Sequence, residues 1–421
     1  MNITALKSRT LSVRQSCESV FVIRAQIRRA IVTKTWPKHA SRFRQMQIFQ
    51  SGQPKLDKLL QRSPHMVEDV ANVETMLAGP LMIRGSENTN DEFFAPLATT
   101  EPTLVASCSR GIEALNQCGG VHFKVLGEDI SRASIFIFAK PADAIAFAAR
   151  LPILQPHITR DVENTNSHVH FRGLSHQAIG SNVHVRFRYY CEDNADPDMA
   201  TVKTQQACDN FMASPLAQEL HVLNVVKETR TGPDRHPAWA DGEEPQNVQV
   251  IVWAKISDAV CNKVLSCSTR CLNDTIANEK ERSIRNGNFG CNSNATSAIA
   301  AMFIACGQNA ASVAEASWNQ FTPEYNQHRK ELKLTMFFPS LPIAVPGEKN
   351  ATETQKKSLQ LLKCEKPGKN RCLAGLIGAF ALASDLSTSA AVASSTFTES
   401  HKALAKGRMP TGNFWVPHHE R

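Results

Sequence analysis

The sequence predicts a mixed α/β (α+β) protein in which a small ferredoxin-like unit is inserted into a larger domain. The chain has 421 residues, which is longer than a domain with a single hydrophobic core usually is. Patterns in the order β-α-β-β-α-β run from Ala133 to Val226, with longer helix and strand patterns on both sides. We therefore predict a basic N-terminal extension over 1–50, a large domain over 51–132 and 227–421, and a small domain over 133–226.

The N-terminal extension carries the positive charge of the chain. Its 50 residues hold ten Lys or Arg against one acid, Glu18, which gives the extension a charge of +9. Since the whole chain has a net charge of +8, the remaining residues together carry about −1. A nearly neutral body predicts no nucleic-acid partner. The basic, serine-bearing composition is typical of a mitochondrial transit segment and equally of a solvated helix. We expect an intracellular protein, cytoplasmic or mitochondrial.

The first part of the large domain is predicted to be helical with one short strand. Ser51–Glu87 has a mostly helical pattern, in which Ala78–Gly85 forms a turn into a strand. Leu104–Cys118 has apolar residues spaced near 3.6, which predicts a helix, and Gly119 and Gly120 end it.

The small domain shows six short patterns. In chain order they are the strand SIFIFA, the helix PADAIAFAARL, the strands HVHFRGL and VHVRFRYYC, the helix MATVKTQQACDNFMAS and the strand LHVLNVV. This order is the split arrangement of a ferredoxin-like domain.

The second part of the large domain begins with a long loop, Lys227–Gln246, which is dense in Pro, Gly and charge. Strands are predicted at Val248–Ile256 and Lys333–Val345, and the nearly uncharged sequence from Asn292 predicts a helix buried on most sides. The apolar run Leu373–Leu386 contains an aspartate and is shorter than the roughly 18 residues of a membrane span. We predict a buried helix there and no span.

Glu101 is the single carboxylate in the neutral stretch LATTEPTLVAS, Leu97–Ser107. A carboxylate buried among apolar neighbours favours its protonated form and is a candidate proton donor. Alternatively, Pro102 opens a helix and Glu101 lies at its start, where an acid suits the helix dipole. The local sequence leaves both interpretations open.

The 12 cysteines predict reduced thiols in an intracellular compartment, because no CxxC pair occurs. Cys267 and Cys271 could share a helix face, but no nearby His or Cys pair completes a zinc site, and we predict no metal. Four others are expected to be small core residues rather than nucleophiles, namely Cys108, Cys118, Cys291 and Cys306.

Five motifs together resemble one enzyme family. AGPL, LATTE, LVAS.SRG, FIACGQ and a final ESH occur in the order and near the spacings of the catalytic domain of 3-hydroxy-3-methylglutaryl-CoA (HMG-CoA) reductases, from about Met66 to Arg408. The resemblance implies a homodimer whose large domain binds HMG-CoA, a coenzyme A thioester, and whose small domain binds NADPH. It also implies two hydride transfers that yield mevalonate, for isoprenoid or secondary-metabolite biosynthesis.

The resemblance assigns roles to individual residues. Glu101 matches the proton donor beside the reacting carbonyl, and His401 matches the histidine that protonates the departing CoA thiolate. Ser107 and Arg110 match positions that hold CoA. Arg132, in ISRAS, matches the arginine that pairs with the HMG carboxylate, which a guanidinium can bind with two parallel hydrogen bonds.

Two positions of the implied proton machinery depart from the family. The family's lysine lies in a TDKKP loop, where this chain has PDRHP and places Arg235 or His236. Arginine can stabilise an oxyanion but does not release a proton. The family's GQD aspartate is Asn309 here, which keeps a hydrogen-bonding side chain but removes a charge.

The implied cofactor site departs further. The family's DAMGMN reads ADPDMA at Ala195–Ala200, and its GTVGGGT reads AVPGEKN at Ala344–Asn350. Pro and Glu in the second motif oppose the close approach of backbone N–H groups to phosphate. Ser167 replaces an arginine expected near the NADPH phosphate, although Arg172 is close, and Ser297 replaces an asparagine of the HMG pocket.

Three functional hypotheses follow. The first is an HMG-CoA-reductase-like oxidoreductase with an altered proton relay, which predicts NADPH binding. The second is an enzyme on the same fold that has lost hydride transfer and does acid-base chemistry on another acyl or isoprenoid-type substrate. The third is a non-catalytic homologue that binds acyl-CoA, for which Glu101→Gln changes nothing.

Overall fold

The computed structural model describes residues 73–163, 169–191, 197–227, 247–288, 290–345, 351–366 and 368–398. The strands are β1 (Thr75–Gly85), β2 (Thr89–Ala98), β3 (Val121–Ile137), β4 (Val169–Ile179), β5 (Asn182–Cys191), β6 (Asn224–Lys227), β7 (Asn247–Ser257), β8 (Gln320–Asn326) and β9 (Glu331–Leu341). The α-helices are α1 (Pro102–Gln117), α2 (Pro141–Glu163), α3 (Pro197–Met212), α4 (Pro215–Glu219), α5 (Asp258–Val260), α6 (Thr269–Arg285), α7 (Ala295–Cys306), α8 (Val313–Ala316), α9 (Glu353–Leu361) and α10 (Asn370–Ala393).

The larger sheet has the strand order β2-β1-β3-β7-β9-β8. All neighbours are antiparallel except β1 and β3. The helix predicted over the described part of Ser51–Glu87 is wrong, because β1 occupies it. Ala78–Gly85 also belongs to this one strand rather than to a turn before it, and an irregularity between Ala78 and Leu81 shifts the register with β2.

The smaller sheet has the order β4-β5-β3-β6, with antiparallel pairing throughout. Helices α2 and α3 connect its strands, so the chain runs β3-α2-β4-β5-α3-β6, with the short α4 before β6. The predicted α/β (α+β) class and the inserted ferredoxin-like unit are therefore confirmed. The predicted boundaries at 133 and 226 remain a prediction.

Strand β3 belongs to both sheets. Its first half pairs with β1 and β7, and Ile130–Ile137 pairs with β5. Two separate apolar clusters follow from this arrangement: one between the large sheet and its helices, and one between the small sheet, α2 and α3. The sequence patterns revealed only the last part of this 17-residue strand.

Three element lengths differ from the prediction. Helix α2 continues to Glu163, well beyond the predicted helix. Helix α7 is shorter than predicted, because Gly307 adopts a left-handed conformation with φ of 73° and ends it. Strand β6 begins only at Asn224, after a residue with positive φ, His221.

Helix α10 is the predicted buried helix. It is long and apolar enough to cross a membrane by length and composition, but 89% of its most apolar window is buried inside the fold. It lies unusually close to α1, since a Cβ built on Gly111 would be 1.9 Å from the carbonyl oxygen of Ala383. Only glycine allows this close approach of the two helices. The approach places the side chains of α1 that neighbour Gly111 against α10.

Candidate functional site

Glu101 is the N-cap residue of α1, which begins with proline at its first position. Its backbone is extended, its N–H donates to Thr99 Oγ1 at 3.0 Å, and its side chain makes no capping hydrogen bond. Of the two interpretations of the local sequence, the buried carboxylate is wrong, because the residue is exposed, and the position at a helix start is confirmed. Glu101 therefore begins α1 through its backbone alone, and its carboxylate remains accessible to a ligand.

Ser107 and Arg110 follow on α1 and both contact α10. The hydroxyls of Ser107 and Thr388 are 3.3 Å apart, and Arg110 Nε donates to Ser387 Oγ at 2.9 Å. A second nitrogen, Arg110 Nη2, donates to the carbonyl oxygen of Ser387. Desolvation lowers the pKa of Arg110 to about 10, so the guanidinium is charged at neutral pH. The two predicted CoA residues thus lie on one shared helix interface.

Arg132 lies in the small sheet rather than at this interface. It pairs in register with Phe187 of β5, and only 6% of the residue is exposed. Its Nε donates to Thr201 Oγ1 at 2.7 Å, near the start of α3, and its Nη1 donates to the carbonyl oxygen of Ser131 at 2.8 Å. The guanidinium is therefore held between β3 and the first turns of α3.

Asn309 lies directly after α7 and is exposed. Its Oδ1 accepts a hydrogen bond from Ala311 N at 3.0 Å and so caps the 3-10 turn Ala310–Ser312. Asn and Asp are equally good caps, so the amide preserves this local geometry without the charge. The neighbouring Gln308 accepts from Ala344 N at 2.9 Å, which brings the start of the AVPGEKN motif beside the end of α7.

Several predicted positions lie outside the described residues. They are Arg235 and His236 in the long loop, His401 in the C-terminal segment, Ser167 before β4, Ala195 and Asp196 of the ADPDMA motif, and Pro346 to Asn350. Ser297 is described and is half-buried on α7.

The four cysteines behave largely as core residues. Cys108, Cys291 and Cys306 are buried, and burial raises their thiol pKa values to about 12, 11 and 12, which keeps them protonated at neutral pH. Cys118 is half-buried. Within the described ranges, no group of three His, Cys, Asp or Glu side chains could hold a metal ion.

A groove of about 520 Å³ lies beside the end of α10. Its wall includes Thr388, which contacts Ser107, and Ser293, which precedes α7. Phe397 is also in this wall, four residues before His401. The groove was not predicted from the sequence, because its walls come from segments that are far apart in the chain.

The fold is that of a known class of acyl-CoA reductase. HMG-CoA reductase of Streptococcus pneumoniae superposes with a TM-score of 0.60 at 16% identity, covering 86% of this chain and 98% of that one. A second structure, of the class II HMG-CoA reductase from the same organism bound to NADPH in open conformations, has a TM-score of 0.59 at 16% identity and covers 83% and 84%.

Sequence comparison identifies the family. The HMG-CoA reductase of Methanocaldococcus jannaschii is 28% identical over 348 residues, 80% of this chain and 85% of that protein. The Halobacterium salinarum HMG-CoA reductase is 28% identical over 78% and 81%. The family model of hydroxymethylglutaryl-coenzyme A reductase matches residues 24–406. The chain therefore belongs to the HMG-CoA reductase family, and the match begins inside the basic extension predicted over 1–50.

Proposed function

We propose that this protein is an HMG-CoA-reductase-type oxidoreductase that reduces HMG-CoA, or a related acyl-CoA, with NADPH. The observation that carries the proposal is the family match over residues 24–406. NADPH, when bound, would supply the two hydrides that the reaction requires. The C–S bond of the thioester breaks, CoA leaves as a thiol, and HMG-CoA becomes the primary alcohol mevalonate.

Glu101 is proposed to donate the proton to the reacting carbonyl oxygen. Its exposed carboxylate at the start of α1 supports this role, because a proton donor must reach its substrate. His401 is proposed to protonate the departing thiolate. The family match, which extends to residue 406, supports this role.

The proposed proton relay is altered at two positions. Arg235 replaces a lysine and would stabilise the developing oxyanion without transferring a proton. Asn309 replaces an aspartate and would hold its neighbours by hydrogen bonds, without the negative charge that raises the proton affinity of a nearby acid. Proton donation at the carbonyl would then depend on Glu101 alone.

Substrate binding is proposed to involve two regions. Ser107 and Arg110 would organise the binding site for CoA. Because only 8% of Arg110 is exposed, it would act by holding α10 through its bond to Ser387. Arg132, the last residue of the first part of the predicted large domain, would bind the HMG carboxylate from its place on β3 in the small sheet. A guanidinium binds a carboxylate with two parallel, charge-assisted hydrogen bonds, which supports this role.

We also propose that the protein is an intracellular homodimer, cytoplasmic or mitochondrial. The dimer is the family expectation, and the location is inferred from the reduced thiols and the basic extension. Sedimentation velocity tests the first proposal and microscopy of a C-terminal fluorescent fusion tests the second.

The function is tested by titrating the purified chain with NADPH and then with NADH, with and without HMG-CoA, while following nicotinamide fluorescence. We expect saturable NADPH binding and an HMG-CoA-dependent loss of the signal. We expect Glu101→Gln to keep NADPH binding and to lower the turnover number about 10²–10⁴-fold, as removal of a general acid does.

The matched control is Glu113→Gln, an exposed glutamate on the same helix. It should leave turnover unchanged. Absence of NADPH binding at millimolar nucleotide contradicts the reductase proposal and directs the search to substrates that need no hydride. Turnover by Glu101→Gln equal to that of the wild type removes Glu101 from the mechanism.

A further inference from the structure

Helix α10 is apolar along most of its length but has one polar turn, Ser384–Ser389. Five of its six residues are Ser, Thr or Asp, and Ser384, Asp385, Ser387 and Ser389 are fully buried. Buried polar groups are costly unless they are hydrogen-bonded, so a cluster of this kind requires partners on the elements that pack around it.

The partners come from three other elements. From α1, Arg110 binds Ser387 and Ser107 contacts Thr388. From α6, Glu279 Oε2 accepts hydrogen bonds from Ser389 Oγ at 3.1 Å and from Ser293 Oγ at 2.7 Å. From the start of α7, Asn294 Nδ2 donates to Ser384 Oγ at 3.2 Å. The polar turn therefore joins the predicted CoA residues to the N-terminus of α7.

Asp385 is at the centre of this turn. Its Oδ1 accepts three backbone N–H groups at the start of α7, from Ser293 at 2.8 Å, Ala295 at 2.9 Å and Asn294. A helix has unpaired N–H groups at this end, and Asn294, the N-cap residue, makes no side-chain capping bond. A carboxylate from another helix thus caps α7. Its second oxygen, Oδ2, is buried and has no hydrogen-bond partner among the described residues.

We propose that Asp385 is a positioning residue for acyl-CoA, which fixes the N-terminus of α7 against α10 so that Ser293 and Thr388 form one wall of the groove. The proposal rests on the proposed function, because it concerns the same substrate. Ser107 contacts Thr388 from α1 and so supports this wall of the groove. Asp385 would not touch the ligand, and its effect would pass through the three amides that it holds.

The charge of Asp385 decides how firmly α7 is held. An ionised carboxylate accepts N–H bonds about twice as strongly as a neutral group. Burial raises its pKa to about 7, the three amides oppose that shift, and Glu279 of α6 adds to it. The other groups that face this region are the buried thiol of Cys291 and the guanidinium of Arg110, which is bound two residues away at Ser387. The grip on α7 would strengthen as pH rises through about 7.

The test is direct binding of HMG-CoA to the full chain by calorimetry at pH 6.0 and 8.0, which does not depend on turnover. Wild type should bind more tightly at pH 8.0. Asp385→Asn should raise the Kd for HMG-CoA about ten-fold at pH 8.0. It should also remove the part of the pH dependence of the Kd that comes from the protein. The control is Asp258→Asn, which removes another helix-capping aspartate that binds Thr269 and lies outside the polar turn. It should keep the wild-type Kd and pH profile, including any titration of the ligand's phosphates.

Hydrogen exchange on wild type provides a second measurement that needs no variant to fold. The amides of Ser293, Asn294 and Ala295 should exchange faster at pH 6.0 than at pH 8.0 after correction for intrinsic rates. Equal affinity and equal pH profile for Asp385→Asn and wild type, or unchanged protection at the two pH values, would overturn the positioning role. Failure of wild type itself to bind HMG-CoA would instead refute the proposed substrate, and this inference with it.

Discussion

Two aspartates show how the same side chain can have opposite energetic effects at a helix start. Asp258 is half-buried and accepts hydrogen bonds from Thr269 N at 2.8 Å and Thr269 Oγ1 at 2.7 Å. These bonds lower its pKa below the ordinary 3.8. Asp385 also accepts backbone N–H groups, but full burial outweighs them and raises its pKa from 3.8 to about 7. Its charge therefore opposes folding, although its contacts order α7.

The two residues predict opposite pH dependences of stability. Between about pH 4 and pH 7, folded Asp385 retains a proton that the unfolded chain releases, so stability falls as pH rises through this range. A shift of about three units corresponds to roughly 4 kcal/mol. Asp385→Asn should thus resemble wild type only below about pH 4, and should be more stable by roughly 1–2 kcal/mol at pH 5 and by roughly 4 kcal/mol at pH 8. Thermal denaturation at pH 5, 6, 7 and 8 measures this difference.

Asp258→Asn is the control for that series. Because its folded pKa is depressed, the carboxylate stabilises the fold above pH 3.8, and this contribution is lost as pH falls through the folded value. The variant should be less stable than wild type at pH 7, with the difference closing in acid. A lower melting temperature for Asp385→Asn at pH 8 would show that its charge stabilises the fold, contrary to the burial argument.

At the scale of elements, the contact between α1 and α10 organises the site. Gly111 allows the two backbones to meet, and Arg110 and Ser107 then reach the polar turn of α10. The glycine is needed here for space rather than for a left-handed conformation. The site is consequently sensitive to a single methyl group between the helices.

Gly111→Ala should separate α1 from α10. The new Cβ would lie 1.9 Å from a backbone oxygen, which no rotamer change can relieve, and overpacking of this kind costs about 1–3 kcal/mol or more. We expect a melting temperature lower by several degrees and weaker HMG-CoA binding.

Gly378→Ala, on α10, is the control, because the atom nearest to a Cβ built on Gly378 is a side-chain carbon of Val252 at 3.0 Å. It should change stability by less than about 1 kcal/mol, since alanine also favours the helix. Equal effects of the two variants would contradict the close-packing argument.

The sequence predicted those elements whose signals are local. The pattern from Leu104 to Cys118, with proline before it and two glycines after it, predicted α1 within two residues. Strand β1 was predicted only in part, as a turn into a short strand, because a run containing Gly79 and Pro80 resembles a turn and only pairing with β2 and β3 makes all of it a strand. The groove and the capping of α7 by Asp385 depend on contacts across about 90 residues, which no local pattern contains. The one available signal was the polar stretch SDLSTS within an apolar helix.

At the scale of the whole molecule, β3 passes from one hydrophobic core into the other. The larger core contains the elements that carry Glu101, Ser107 and Asp385, and the smaller core lies beneath the sheet that carries Arg132. The smaller core includes a cluster of four aromatic rings, Phe136, Phe138, Phe147 and Phe211, with centroids 5.1–6.1 Å apart. If the small domain binds NADPH and the large domain binds CoA, the two ligands should respond to different cores.

Phe147 is the residue on which this division can be tested, because it contacts each of the other three rings of the cluster and is 1% exposed. Phe147→Leu should loosen the small core by about 1–2 kcal/mol and weaken NADPH binding more than HMG-CoA binding, because Arg132 alone of the proposed HMG-CoA residues lies on the small sheet. Phe380→Leu, in the large core on α10, is the matched control and should weaken HMG-CoA binding first. Calorimetric titration of both variants with both ligands separates these outcomes. Parallel loss of the two ligands in both variants would mean that β3 transmits the disturbance and that the two cores respond as one cooperative unit.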